Sequence, residues 1–203
     1  MITTRRFRTS DEQEPLSEAD VRHAAMDLLA GREYSKSELA QKLAQRFERR
    51  RARMAKRTAQ AQVDGALETY PGVLDGGAAM VGPGMIAAAL DRLESDGLLS
   101  DARFAGAFVR SRIARGQGPT RLRHDMRQKG VEAGMIDAAL AAAEVDWEKR
   151  AREILERRFG SGESVDARER ARRMRFLKQR GFSFDVCYRL LNQRNSRGDL
   201  DGW

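Results

Sequence analysis

The feature that most constrains the fold is a self-similarity with a period of about 50 residues. Met126-Arg127-Gln128-Lys129-Gly130-Val131 lines up with Leu177-Lys178-Gln179-Arg180-Gly181-Phe182. The apolar stripe that follows continues in register, Met135, Ile136 and Leu140 against Val186, Cys187 and Leu191. Upstream, Met85-Ile86-Ala87-Ala88-Ala89-Leu90 matches Met135-Ile136-Asp137-Ala138-Ala139-Leu140. A period of this length marks a repeated supersecondary unit. Such a unit is too small to bury much apolar surface alone, so its neighbours must complete the core. The expectation is three tandem units of three short helices, forming an elongated, curved molecule rather than a sphere.

The apolar spacing makes those units helical. Val21, Ala24, Ala25, Leu28 and Leu29 recur at the interval of one helix face, as do Met85, Ile86, Ala89, Leu90 and Leu93, and again Met135, Ile136, Ala139, Leu140 and Ala143. No run alternates as a strand would, and there are only four prolines in 203 residues, so the chain reads as all-α. Ser17 before Asp20 and Ser35 before Glu38 have capping-box spacing, in which the hydroxyl accepts from the third amide and the acid reaches back. Leu16 with Val21, Tyr34 with Leu39 and Leu99 with Phe104 are spaced as hydrophobic staples. Pro119 after Gly118 suits a first helical residue, where its missing N–H is not needed. These signals predict helices of about 10–15 residues. They divide the chain into a flexible N-terminal tail (1–15), a first repeat (16–99), a second (100–145), a third (146–194) and a C-terminal tail (195–203).

The first unit departs from the period. Leu43 takes the place of Met126, which leaves about 33 extra residues between Phe47 and Met85, an insertion spanning roughly 48–84. Its first part is a basic, helix-permissive run. Its end, from Gly72 to Gly84, is rich in glycine and reads as a mobile loop.

Cofactor and catalytic chemistry are poorly served. One cysteine, Cys187, excludes an internal disulfide framework, and with only His23 and His124 beside it a four-ligand zinc site cannot be assembled. Cys187 sits on the apolar stripe, where a thiol behaves as a small buried hydrophobe. Neither histidine lies in a nucleophile or metal motif, and no glycine loop followed by Lys-Ser or Lys-Thr cradles a phosphate. No apolar run approaches ~20 residues, so no membrane span is expected. The N-terminus lacks a secretory apolar stretch. The reading is a cytoplasmic protein that is not an enzyme, needs no cofactor or metal, and is a monomer.

Charge is the strong signal. Thirty-eight Lys and Arg against 30 Asp and Glu give +8 and a pI of about 10.2, which favours a polyanionic partner. The excess is clustered. Arg103, Arg110, Arg112, Arg115, Arg121, Arg123, Arg127 and Lys129 face only Asp101 and Asp125 between Ser100 and Gly130. Arg168, Arg170, Arg172, Arg173, Arg175, Lys178 and Arg180 face only Glu169 between Ala167 and Arg180. In the insertion, Arg49, Arg50, Arg51, Arg53, Lys56 and Arg57 form a third run. Arginine dominates, and its planar fork suits bidentate contacts to phosphate or carboxylate. The plain alternative is a solvated helix face. Few aromatic residues interleave with these runs, so stacking on splayed bases is not expected from them. Trp147 and Phe159 are expected to seal the junction between units two and three.

The ordered set Leu90-Asp91-Arg92-Leu93-Glu94-Ser95-Asp96-Gly97-Leu98-Leu99-Ser100-Asp101-Ala102-Arg103-Phe104-Ala105, then Phe108-Val109-Arg110-Ser111-Arg112, Gly118-Pro119, Leu122, Arg127-Gln128-Lys129-Gly130-Val131 and finally Phe176-Leu177-Lys178-Gln179-Arg180-Gly181-Phe182-Ser183 resembles the RecX family over about Asp20 to Leu191. The insertion from about Glu48 to Gly84 departs from the tighter connection usual in that family. The resemblance implies tandem three-helix units and a regulator, usually an inhibitor, of the RecA recombinase. Such proteins lodge in the groove of the RecA–single-stranded-DNA filament and modulate its ATPase, strand exchange and SOS co-protease activities. On that reading the three basic runs named above meet the filament or its DNA. Two other readings stand beside it: a helix-turn-helix-like protein acting directly on duplex DNA, and a helical scaffold for an acidic partner unrelated to DNA.

Overall fold

The structure, a computed structural model, describes residues 17–63, 81–160 and 166–192. The expected tails and the stretch 64–80, which holds most of the expected glycine-rich loop, lie outside the described residues, as does Leu16 of the first staple. Among the described residues there are nine helices and no strand: α1 (Glu18–Gly31), α2 (Lys36–Val63), α3 (Pro83–Ser95), α4 (Asp101–Ala114), α5 (Pro119–Gln128), α6 (Ala133–Ala142), α7 (Trp147–Phe159), α8 (Ala167–Arg180) and α9 (Phe184–Asn192). They fall into two compact units. One holds α1, most of α2, and α3. The other holds Glu33–Glu38, which includes the first turn of α2, together with α4 to α9.

In the first unit the capping box forms as its spacing requires. Ser17 Oγ accepts from the Asp20 N–H, and the Asp20 carboxylate accepts from the Ser17 N–H at 2.8 Å. α1 packs on α3, burying Val21, Ala24 and Ala25 from one and Ile86, Ala89, Leu90 and Leu93 from the other. Arg22–Asp96 at 2.8 Å and Arg92–Glu18 at 3.3 Å flank that contact. Among the described residues of α2, Leu39, Leu43 and Phe47 are buried. Beyond Phe47 the helix runs on to Val63, so α2 is 28 residues long rather than 10–15. The basic run lengthens a helix already started. The glycine-rich stretch ends earlier than expected, since Gly82 is the N-cap of α3 and Pro83 and Gly84 are in its first turn.

The second unit has two apolar clusters. Phe104, Phe108, Leu122, Met126, Ile136 and Leu140 lead the first, and Ile154, Leu155, Leu177, Phe182 and Cys187 the second. Trp147 packs against both and bridges them, as expected. Phe159 does not: it joins only the second cluster, edge-on to Phe176 at 5.4 Å. Met135 is exposed although it lies on the predicted stripe, and it lines an open groove of about 1010 Å³ between residues of α4, α6 and the start of α7.

Two glycine turns set the packing inside this unit. Gly130 and Gly181 follow the equivalent helices α5 and α8 with φ of +74° and +87°, a left-handed conformation that other residues reach only with strain. The turn at Gly181 lies directly on the start of α5: the Gly118 N–H donates to the Arg180 carbonyl at 2.7 Å, and the Thr120 N–H donates to the Gly181 carbonyl at 3.0 Å. A Cβ on Gly118 would sit 2.5 Å from the Gly181 oxygen. The turn at Gly130 lies in the same way on the start of α2. Ser35, fully buried, donates from Oγ to the Lys129 carbonyl at 2.6 Å, and a Cβ on Gly130 would sit 2.5 Å from Ser37 Cβ.

Candidate functional site

The basic residues singled out from sequence divide into two groups by what their side chains touch. One group is engaged inside its own unit. Arg103 pairs with Glu33 at 3.1 Å, Arg123 with Asp137 at 3.1 Å and Lys129 with Glu38 at 2.9 Å. Arg121 lies 3.8 Å from Asp125 and donates to the Gln179 carbonyl at 3.2 Å. Arg180 donates to the Arg115 carbonyl at 2.8 Å and lies over the Phe176 ring. Arg121 thus ties the start of α5 to the end of α8, and Arg180 ties the end of α8 to the end of α4, because a guanidinium can satisfy carbonyls that a helix end leaves open. Arg172 and Arg173 both pair with Glu169 and lie over the Phe159 ring. Arg173 is only 8% exposed, so it is an interior ion-pair partner rather than part of an accessible basic face. Arg112 lies 4.8 Å above the Phe108 ring, and Lys178 lies 5.9 Å from the centre of the Phe184 ring.

The other group is exposed and, among the described residues, forms no ion pair: Arg110 on α4, Arg115 at its C-cap, Arg127 on α5 and Arg175 on α8. In the first unit Arg49, Arg50, Arg51, Arg53, Lys56 and Arg57 are all exposed on α2. Spacings of three and four residues bring all of these except Arg51 to one side of that helix. Because Met54 alone in this stretch is half-buried, little of the extension is committed to a core. These are the cations whose hydration a polyanion can displace without first breaking an internal contact.

Cys187 is fully buried at the heart of its cluster, and burial pushes its thiol above the usual value, the environment of an inert packing cysteine rather than a nucleophile. Among the described residues no helix is long and apolar enough to cross a membrane.

Two residues that sequence reasoning passed over stand out on α9. Phe184 and Tyr188 are 58% and 53% exposed and stack on each other with ring centres 5.8 Å apart. The repeat itself held a signal, because the equivalent positions one unit earlier are Ala133 and Asp137. The shared core therefore asks for no aromatic ring there.

Comparison with known proteins assigns this arrangement. The model of "RecX, second three-helix domain" matches residues 100–140, and that of "RecX, third three-helix domain" matches residues 144–191. A Regulatory protein RecX from Halorhodospira halophila is 43% identical over 165 residues, 81% of this chain and 82% of that protein. The chain belongs to the RecX family. A Regulatory protein RecX from Pseudomonas fluorescens is 39% identical over 86% of this chain and 91% of its own length. The crystal structure of RecX from Lactobacillus salivarius superposes with a TM-score of 0.58 at 17% identity, covering 88% of this chain and 97% of that one. The all-α reading and the tandem three-helix RecX domains are thereby shown, with α4–α6 and α7–α9 falling in the second and third domains. The relatives' name makes this RecX-family chain a member of a group of regulators.

Proposed function

We propose that this protein is a cytoplasmic, monomeric, non-enzymatic regulator of the RecA recombinase that binds the RecA–single-stranded-DNA filament groove. There it slows ATP hydrolysis, strand exchange and SOS co-protease activity. The observation that carries the reading is the 43% identity to a Regulatory protein RecX over about four fifths of both chains. The exposed, ion-pair-free guanidiniums support it. Arg110, Arg115, Arg127 and Arg175, with the α2 extension from Arg49 to Arg57, supply direct contacts to phosphates or to acidic filament surface. Arg103, Arg112, Arg121, Arg123, Lys129, Arg172, Lys178 and Arg180 add to the positive field of the second unit while making its internal contacts. Contacts bridging neighbouring protomers favour one filament state and slow its cycling.

The test is RecA ATPase on single-stranded DNA with the protein titrated in. Suppression that is lost in a joint Arg110→Glu, Arg127→Glu, Arg175→Glu variant is the expected result. No change at saturating wild-type protein overturns the reading. The duplex-binding alternative fares less well because the third helix of a three-helix DNA-binding unit must enter the groove; α6, in that place, carries Asp137 and no cation, and the single arginines of α3 and α9, Arg92 and Arg189, lie beside Glu18 and Glu148.

A further inference from the structure

We infer that Phe184 and Tyr188, with Lys178 beside them, form a platform on which bases of a single-stranded nucleic acid stack. The rings are one helical turn apart on α9 and lie nearly parallel, 27° between planes. More than half of each is exposed, which is an unfavourable use of apolar surface unless something covers it. The fold does not require them, since the matching α6 positions hold Ala133 and Asp137. The core of this helix is supplied instead by Cys187, with Val186, Leu190 and Leu191 packed against its cluster.

The chemistry of the surroundings selects the occupant. Lys178 lies 5.9 Å from the Phe184 ring centre, and Arg175, one turn earlier on the same face of α8, is exposed. Arg189 on α9 is also exposed, its guanidinium 3.7 Å from Glu148. Asp185 is the acid on the exposed side of α9. Flat apolar faces bordered mainly by cations match a strand that offers bases and phosphates together. A duplex hides its bases in the stack and cannot use the rings. The choice of a single strand rests on the filament reading, in which single-stranded DNA is already present. The platform is nonetheless tested without RecA.

The experiment measures binding of the full chain to a labelled thymidine oligonucleotide and to an abasic oligonucleotide with the same number of phosphates. The double variant Phe184→Ala, Tyr188→Ala is expected to weaken thymidine binding about tenfold or more and to leave abasic binding within about twofold. Lys178→Ala weakens both. Tyr188→Phe behaves as wild type and Tyr188→Trp tightens thymidine binding, which keeps the test informative if the double variant loses helicity by circular dichroism. Equal loss on both strands, no loss on thymidine, or no wild-type binding overturns the platform. If the double variant instead binds thymidine normally but no longer suppresses RecA ATPase, the rings contact protein and the platform is overturned. Stacking on thymidine without any wild-type effect on RecA ATPase supports the platform and removes the filament reading.

Discussion

The turns at Gly181 and Gly130 do the same job with different chemistry. At Gly181 main chain meets main chain: two N–H groups at the start of α5 donate into the turn, and glycine stands on both sides of the contact. At Gly130 the contact is made by side chains, with the Ser35 hydroxyl on the Lys129 carbonyl and the Lys129 ammonium on Glu38. A backbone contact is insensitive to side-chain identity but has no room to relax. A side-chain contact can be retuned one residue at a time. The corresponding place on α2 is Phe47, which is buried. There the helix makes no glycine turn and continues into the basic extension. Where a helix must dock by its following turn it stops at glycine, and where that demand is absent it is free to run on.

If this contrast is right, Gly181→Ala is the most damaging single change. It adds left-handed strain of about 1–2 kcal/mol and drives a Cβ into Arg121 Cβ and its backbone nitrogen. With the cost of overfilling a contact that cannot move, the loss is about 3 kcal/mol or more, read as a lower urea midpoint. A loss below about 1 kcal/mol would mean the two backbones separate easily and the contrast is empty.

Gly130→Ala comes next, at about 2 kcal/mol, because Ser37 Cβ and Oγ, rather than backbone, lie in the way. Adding Ser37→Gly is expected to restore about 1 kcal/mol, read as coupling in a double-mutant cycle, and to leave the φ strain behind. No coupling would place the obstruction elsewhere. Glu38→Gln is smaller, about 1 kcal/mol. The Lys129–Glu38 pair is partly buried, so this loss should shrink only modestly in 1 M salt, whereas the cost of Gly181→Ala should not change with salt.

Much of this was readable in the chain. Periodicity placed Leu43, Met126 and Leu177 at equivalent positions, and all three are fully buried. Cap spacing located the starts of α1 and α2, where Ser17 and Ser35 accept from the third amide. Trp147 fell where two cores meet. What the sequence could not show is how each charge is spent. Arg121, Arg180 and Arg173 look the same as Arg110 or Arg175 in a charge count. Yet the first two go to carbonyls of a neighbouring helix end and the third to Glu169 in the interior. The carbonyl partners of Arg121 and Arg180 lie 58 and 65 residues away, which no local pattern carries, and the burial of Arg173 follows from packing rather than from its four-residue spacing to Glu169. Aromatic residues mislead for a related reason. Phe159 and Phe184 are the same residue type at helix ends, but one is half-buried against Phe176 and the other stands out beside Tyr188.

The smallest effect belongs to a contact that is local and should stand apart from both glycine turns. The Ser17–Asp20 box lies within one helical turn of α1, so Ser17→Ala should cost about 0.5 kcal/mol and be additive with Gly181→Ala. Its pH dependence has a definite sign. The Ser17 backbone N–H, then the Ser17 hydroxyl, hold the Asp20 carboxyl below its ordinary value, so the ionised form is favoured in the folded state. A carboxylate with a lowered folded pKa contributes stability that is complete above its unfolded pKa and is lost as pH falls through the folded one. Asp20→Asn should therefore give up that contribution at neutral pH, a loss smaller than that of Glu38→Gln, and flatten part of the acid limb, so that variant and wild type converge below the folded pKa. Gly181→Ala should lower the whole curve without changing its shape in acid. If Asp20→Asn moved the neutral-pH midpoint as far as Glu38→Gln does, the box would be coupled to the wider fold, and the division between local caps and glycine turns would fail.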